Sequence, residues 1–214
     1  PECPLKHGEA MSIATFLPRL KKLPAYRDQI VHVEHIAPRE ASYGELDQPL
    51  HPRLQESLEA NGLFPLYSHQ TKSVNLVRVG KNVVVVTPTA SGKTLCYNLP
   101  VLDTILTQKG CRALYLFPTK ALAQDQLRSL RELTIEQKIK LNYSTFDGDT
   151  PQNERGAIKR SAEIVLSNPD MVHVGIMPNH SAWKEFFSRL RYVVIDEAHV
   201  YRGVFGSHVA NVVR

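Results

Sequence analysis

From Ser68 onward, short apolar runs alternate with segments whose apolar residues recur at helical spacing. Repeated alternation of strands and helices favours right-handed crossovers and a parallel sheet that helices cover on both faces. The pattern therefore predicts a three-layer α/β domain. The predicted strands are 82–87, 112–117, 138–145, 163–167 and 192–195, and the predicted helices are 68–79, 93–108, 120–133, 152–160, 170–177 and 181–189.

The composition is typical of a globular protein. Of 214 residues, 43% are hydrophobic and 22% are charged, as in soluble domains. The apolar runs, such as residues 83–86, are all far shorter than the roughly 18 apolar residues of a membrane span. The three cysteines contain no Cys-x-x-Cys pair, which disfavours a disulfide framework or a zinc site. We therefore expect a cytoplasmic protein without a membrane partner, and its net charge of +5 permits a polyanionic one.

The first sixty residues differ from the rest of the chain in composition and pattern. They are rich in proline and histidine and lack the strand–helix alternation. Residues 12–22 and 51–61 are predicted helices, and the alternation of residues 30–36 predicts a strand. We expect residues 1–60 to form a partly helical N-terminal extension of unknown function, followed by the α/β domain over 61–214.

Four predicted strands are followed by loops that contain polar and charged residues suited to binding a ligand. These loops are 87–94, 118–120, 168–170 and 196–199. Ligands of open parallel sheets bind at the carboxyl ends of the strands. The four loops should therefore lie on one edge of the sheet and form the functional site.

Residues 87–94 read Thr-Pro-Thr-Ala-Ser-Gly-Lys-Thr, between the valine run 83–86 and a predicted helix. A phosphate-binding loop needs inward-pointing backbone N–H groups and a helix N-terminus beneath the phosphates. Gly92 permits close backbone approach, Lys93 is expected to reach the β- and γ-phosphates, and Thr94 to offer its hydroxyl to Mg²⁺. The predicted ATP-binding residues of this loop are Thr89, Ala90, Ser91, Gly92, Lys93 and Thr94.

Two positions depart from the usual phosphate-loop pattern. Thr87 stands where G-x-x-x-x-G-K-[ST] has its first glycine, and Ala90 occupies a position that a further glycine often holds. The alternative interpretation is a helix start that happens to contain Gly-Lys-Thr. Placement after the valine run and the acidic loop downstream favour phosphate binding.

The predicted strand 192–195 ends in two adjacent carboxylates, Asp196 and Glu197. In phosphate-loop ATPases a strand-end aspartate anchors Mg²⁺, commonly through water, and a nearby acidic group orients the attacking water. Asp196 fits the metal role and Glu197 the general base; with Lys93 they form the predicted catalytic set. The alternative is a solvated pair that caps the following helix.

These motifs resemble those of superfamily 2 DEAD/DEAH-box helicases. Residues 196–199 read Asp-Glu-Ala-His, the DEAH form of motif II, and residues 87–94 resemble motif I. Residues 117–126 are similar to motif Ia, which in that family follows the nucleic-acid backbone, and 167–170 occupy the place of a second strand-contacting motif. The resemblance, over roughly residues 50–214, implies a RecA-like motor domain that uses ATP and Mg²⁺, with His199 coupling it to a second domain.

Gln70 sits where the family places an adenine-reading glutamine. The aromatic residue that often accompanies it upstream is not evident, because Arg53 stands at the expected distance. Residues 147–150 and 201–208 narrow the resemblance to the YprA/MrfA-type bacterial helicases. That branch implies a role in DNA repair and 3′-to-5′ unwinding, with single-stranded or tailed duplex DNA as the partner.

The candidates for nucleic-acid contact are Pro118, Thr119, Lys120 and Asn168. A hydroxyl and a cation at a helix N-terminus suit a phosphate, although Thr119 as a simple helix cap is an open alternative. Arg202 and His208 are weaker candidates, with a surface ion pair and a helix-face histidine as their alternatives.

Two further groups are interpreted as structural. Asp147 and Asp149 are expected to form a turn leading into the helix after Pro151. Trp183, Phe186 and Phe187 recur at helical spacing and are expected in the core rather than as a base-stacking platform.

Cleavage of ATP in this family needs a second RecA-like domain with an arginine finger. The chain ends at Arg214, soon after motif II, so we expect it to be incomplete for catalysis and to bind ATP–Mg²⁺ weakly alone. An RNA helicase of the same superfamily and a non-catalytic nucleotide- or DNA-binding regulatory module are the alternatives.

Overall fold

The structure is a computed structural model that describes residues 13–37, 40–88, 90–135 and 138–214. The chain divides into two compact units, Pro1–Glu40 and Ala41–Arg214. The sequence patterns placed this boundary between residues 60 and 61. Residues 52–60 lie in the second unit because Leu54 and Leu58 are fully buried there and the Ser57 hydroxyl donates to the Leu133 carbonyl at 2.7 Å.

In the first unit, the helix predicted over 12–22 is confirmed as α1, Ile13–Leu20. The strand predicted over 30–36 is wrong: these residues form no strand, and Val31 and Ile36 are exposed. An alternating pattern stabilises a strand only when a neighbouring strand and a buried face are available. Within the described part of this unit neither is present.

The second unit is built on a four-stranded parallel sheet. Strands β1 to β4 are ordered β2-β3-β1-β4, so that β1 is paired on both sides. The strands are β1 Arg112–Leu116, β2 Tyr143–Thr145, β3 Ile164–Ser167 and β4 Leu190–Ile195; the helices are α2 Pro52–Ala60, α3 Ser68–Arg78, α4 Lys93–Thr107, α5 Lys120–Ile135, α6 Gln152–Ser161, α7 Pro169–Met171, α8 Lys184–Ser188 and α9 Gly203–Val213. Between α7 and α8 the chain continues as a π-helical turn, Val172–Ile176, and a 3₁₀ segment, Met177–Trp183.

Successive residues of β1 point to opposite faces of the sheet. Ala113 and Tyr115 join a core formed with α2 to α5, whereas Leu114 and Leu116 join a second core with α6 and α8. Helices therefore cover both faces, and the predicted three-layer α/β fold is confirmed. The predicted core position of the aromatic group is confirmed as well, since Trp183 and Phe186 are buried in the second core and Phe187 packs against it.

The strand predicted over 82–87 is wrong. Residues 81–88 form no strand, and Val84 and Val86 are 87% and 88% exposed. In the described part of the chain, β4 pairs with β1 along one edge and with no strand along the other. The valine run thus has strand composition without the hydrogen-bonded neighbour that would bury it.

The carboxyl ends of all four strands open toward one edge of the sheet, because the strands are parallel. This brings the loops that follow β1, β3 and β4 to the same side, as the sequence predicted. Within the described residues, no helix is both long and apolar enough to cross a membrane.

Candidate nucleotide and nucleic-acid site

Helix α4 begins at the predicted phosphate loop. Gly92 is its N-cap, with φ 74°, and a Cβ atom there would lie 2.6 Å from Gln70 Nε2. The position therefore requires glycine for both its backbone angle and its close contact. Ala90 also adopts a left-handed conformation, φ 56°, which explains why this position often carries glycine. The N-terminus of the fifteen-residue α4 supplies the positive dipole end that anions prefer.

The side chains of the loop bond to one another. The Thr87 and Ser91 hydroxyls are 2.6 Å apart, and Lys93 Nζ donates to the Thr87 carbonyl at 3.1 Å. Lys93 thus reaches back across the loop, where an arriving phosphate oxygen can replace the carbonyl as its acceptor. Thr89, which the sequence assigned to nucleotide binding, lies outside the described residues.

Side chains of helix α3 contact the backbone of the phosphate loop. Gln70 is only 2% exposed; its Oε1 accepts from the Tyr67 N–H at 2.9 Å and its Nε2 donates to the Gly92 carbonyl at 3.0 Å. His69 Nε2 lies 2.9 Å from the Ser91 carbonyl oxygen. Gln70 therefore caps its own helix and fixes the loop, and its role in adenine recognition stays a prediction.

An aromatic column beside Gln70 was missed by the sequence reasoning. The rings of Tyr43 and Tyr67 stack with centroids 5.5 Å apart, and Tyr67 stacks in turn on His69 at 5.8 Å. Both tyrosines are exposed. Position 53, where the family often has an aromatic residue, is Arg53, whereas Tyr43 joins the column through the bridge that it forms with Tyr67, a contact that sequence spacing does not show.

The acidic loop is fixed to the sheet. The Asp196 N–H donates to the carbonyl of Leu116 at the end of β1, at 3.0 Å. Asp196 Oδ1 accepts from the Glu197 N–H at 2.8 Å, while Oδ2 accepts from the Tyr97 hydroxyl at 2.9 Å. Glu197 adopts a left-handed conformation, φ 50°, which directs the chain into a short 3₁₀ turn. The two carboxylates have different side-chain partners, Tyr97 for Asp196 and His199 for Glu197.

Tyr97 joins the two predicted halves of the nucleotide site. Its hydroxyl donates to Asp196 Oδ2 of the acidic loop, and Tyr97 follows Thr94 of the phosphate loop by one turn of α4. Burial, followed by the negative charge of Asp196, raises the pKa of Tyr97 well above its ordinary value, so the phenol stays protonated. Sequence spacing indicates this proximity, because positions 93, 94 and 97 share one face of α4 through their three- and four-residue spacing.

Glu197 and His199 face each other across the turn. His199 Nδ1 lies 3.2 Å from Glu197 Oε2, and the histidine is the more exposed of the two. The carboxylate of Glu197 is thereby oriented by an imidazole within its own motif. Its part in water activation and the coupling role of His199 stay predictions.

The predicted nucleic-acid-contacting residues that follow β1 lie at the exposed N-terminus of α5. Thr119 Oγ1 accepts from the Leu122 N–H at 3.3 Å, which is the capping role held open as an alternative. Lys120 Nζ pairs with Asp149 Oδ2 at 2.7 Å, and that bond raises the pKa of Lys120. Pro118 is partly exposed beside them. The predicted turn at Asp147 is confirmed, because its Oδ1 accepts from the Asp149 N–H.

Asn168 follows β3 and caps α7. Its Oδ1 accepts from the Met171 N–H at 2.8 Å. Nearby, His208 Nε2 lies 3.6 Å from Asp170 Oδ1 and its ring packs edge-on against His173. Arg202 is exposed at the start of α9. The structure thus places Asn168 on the same edge as Thr119 and Lys120, with its carbonyl oxygen already used in capping.

Comparison with known proteins agrees with this arrangement. The profile of the DEAD/DEAH box helicase family matches residues 67–214. An uncharacterized ATP-dependent helicase of Bacillus subtilis, YprA, is 49% identical over 187 residues, which are 87% of this chain and 25% of the relative. The ATP-dependent helicase HRQ1 of Saccharomyces cerevisiae is 40% identical over 205 residues, 95% of this chain and 19% of the relative.

Among solved structures, the DUF1998 helicase MrfA bound to DNA and AMPPNP matches with a TM-score of 0.85 and 46% identity, over 95% of this chain and 28% of that one. The α/β architecture is therefore the RecA-like fold of helicase motor domains. The chain spans about a quarter of the length of these relatives. Since the family profile covers most of this chain, the chain belongs to the DEAD/DEAH box helicase family.

Proposed function

We propose that this chain is the ATP-binding motor domain of an ATP-dependent helicase that acts on DNA. The observation that carries the proposal is the bond from the Tyr97 hydroxyl, one turn of α4 after Thr94, to Asp196 Oδ2 at 2.9 Å. A hydroxyl from the phosphate loop and a carboxylate from a separate strand end are the hard oxygen donors that Mg²⁺ prefers. Family relatives named as ATP-dependent helicases support the same conclusion.

Each residue of the site has a role in this proposal. The backbone around Gly92 and the dipole of α4 cradle the phosphates, and the Lys93 ammonium exchanges the Thr87 carbonyl for a phosphate oxygen. Thr94 and Asp196 would hold Mg²⁺, partly through water, and the ion would supply charge neutralisation there. Glu197 orients the attacking water and accepts its proton, with its carboxylate held by His199.

Nucleic acid is proposed to lie over the carboxyl edge of the sheet, along Pro118, Thr119, Lys120 and Asn168. The exposed N-terminus of α5 offers backbone N–H groups and a cation to a phosphate. Lys120 is paired with Asp149 in this structure, so a DNA phosphate replaces that carboxylate on binding. The relative MrfA was crystallised with DNA, which favours DNA over RNA as the partner.

The finer assignments rest on the resemblance to the YprA/MrfA-type helicases. We propose 3′-to-5′ unwinding of tailed duplex DNA, a role in DNA repair, and the cytoplasm as the compartment where such a motor meets ATP and DNA. A second RecA-like domain of the same protein is proposed to close over the nucleotide and to contribute an arginine, a contribution worth about 10³–10⁵ in rate in related NTPases.

The test uses the full-length protein. ATP turnover is measured with single-stranded DNA, with single-stranded RNA of the same sequence and with neither; we expect DNA to stimulate turnover most. Unwinding is then compared on duplexes with a 3′ tail and with a 5′ tail, and we expect the 3′-tailed substrate to be unwound. Stimulation by RNA alone would identify an RNA helicase, and nucleotide binding without any turnover would identify a regulatory module.

A further inference from the structure

The hydroxyl of Tyr97 stands at the centre of a polar cluster inside the proposed nucleotide site. Asp196 Oδ2 lies 2.9 Å from it, and Gln126 Oε1 of α5 lies 3.1 Å from it. Thr94 lies one turn before Tyr97 on α4. Each of these side chains is half-buried, so the bonds are only partly exposed to competition from water.

Proton counting fixes the direction of each bond. A phenol has one proton to donate, and an ionised carboxylate only accepts. The Tyr97 proton therefore goes to Asp196. Gln126 must then present its amide nitrogen rather than its oxygen to the phenol, an orientation assigned from the bonding pattern. Both partners are satisfied only in this arrangement.

Both oxygens of Asp196 are held by fixed donors. Oδ1 is bonded to the Glu197 N–H, and Oδ2 to Tyr97. The Tyr97 ring is itself fixed, because it packs edge-on against the buried ring of Tyr115 with centroids 5.4 Å apart. The hydroxyl therefore has little freedom to move, and neither has the carboxylate that it holds.

We propose that Tyr97 is a positioning residue that fixes the Asp196 carboxylate beside the Thr94 hydroxyl in the geometry that Mg²⁺ requires. The inference rests on the proposed ATP and Mg²⁺ site and deepens it. Mg²⁺ tolerates little departure from octahedral geometry, so a carboxylate free to rotate lowers metal affinity even when it is present. Outer partners of metal ligands affect metal affinity by about tenfold or more.

The matched pair Tyr97→Phe and Tyr115→Phe tests this role. Each change removes one buried hydroxyl and keeps the ring, but the Tyr115 hydroxyl donates to Asn98 in the core, away from the metal ligands. In full-length protein, binding of a fluorescent ATP analogue is titrated at increasing Mg²⁺ and, separately, in EDTA, and the melting temperature is recorded.

We expect Tyr97→Phe to raise the Mg²⁺ concentration for half-maximal effect by about tenfold, the size of one hydrogen bond to a charged group. Its affinity in EDTA should stay unchanged, and Tyr115→Phe should change the melting temperature alone. An unaltered Mg²⁺ dependence in Tyr97→Phe would overturn the positioning role. Wild-type protein that binds no nucleotide in either condition would instead refute the proposed function, and the inference with it.

A double-mutant cycle tests whether Tyr97 acts through Asp196. In an Asp196→Asn background, Tyr97→Phe should not raise the half-maximal Mg²⁺ concentration any further, because the two side chains act as one unit. Fully additive losses would contradict the inference. Should Tyr97→Phe fold poorly, Gln126→Met removes one partner of the phenol from a half-exposed position, with an expected shift of about twofold in the same direction; no shift would count against the cluster.

Discussion

The two halves of the proposed nucleotide site follow two apolar runs that differ in their neighbours. The run 190–195 pairs with β1 as β4, and its loop is held by the bond from the Asp196 N–H to the Leu116 carbonyl. The valine run 83–86 has no strand partner among the described residues, and the phosphate loop that follows it is held by side chains of α3 instead. Sequence composition is similar in the two runs, so pairing accounts for the difference.

This difference has a functional consequence. The acidic loop inherits its geometry from the sheet, whereas the phosphate loop depends on Gln70, His69 and its own internal bonds. Changes at Glu197 of the acidic loop should therefore alter chemistry without altering nucleotide binding. Changes in the phosphate loop should alter binding itself.

The largest expected effect is on turnover. Glu197→Gln in the full-length protein should lower the ATP turnover rate by about 10²–10⁴, the usual contribution of a general base. Nucleotide affinity should stay within about twofold, because the phosphate contacts are made by the other loop. Turnover is measured under saturating DNA and ATP; an unchanged rate would refute the general-base assignment.

Lys93→Ala, in the phosphate loop, should weaken nucleotide binding itself. Loss of a charge-assisted bond to phosphate is expected to weaken ATP binding by about 10–100-fold. The comparison variant is Lys109→Ala, an exposed lysine before β1 at the opposite edge of the sheet, and it should bind as wild type. Equal effects of the two variants, measured by titration of a fluorescent ATP analogue, would remove Lys93 from the site.

A pair of valine substitutions tests the difference in burial. Val165→Ala in the fully buried β3 should lower the free energy of unfolding of this chain by about 2 kcal/mol through lost burial and a cavity. Val84→Ala, at an 87% exposed position, should change it by less than about 0.5 kcal/mol. Urea unfolding gives both values. Equal losses would show that the valine run is buried as a strand after all.

The smallest effect is expected at the DNA edge. Lys120→Ala should weaken DNA binding a few-fold and reduce the slope of log affinity against log salt by about 1, as one phosphate contact is lost. Asp149→Asn should strengthen binding slightly, since Lys120 is then unpaired. Fluorescence anisotropy over a salt series measures both, and a slope unchanged by Lys120→Ala would place the phosphate path elsewhere.

The sequence by itself determined the features that depend on local order. The helices 51–61 and 68–79 were predicted to within two residues because their periodicity and end signals are local. The alternation of apolar runs and helices determined the layered α/β fold. Residues with special chemistry were found for the same reason, since each phosphate-loop or acidic motif is contiguous in the chain.

Tertiary structure decided everything that depends on a distant partner. It left the valine run exposed, placed residues 52–60 in the core of the second unit, and turned the Gln70 amide onto the phosphate loop. It also brought Tyr97 against Asp196, a contact across ninety-nine positions of sequence. Hydrogen bonds and burial need two surfaces that meet, and the amino-acid pattern of one segment describes only one of them.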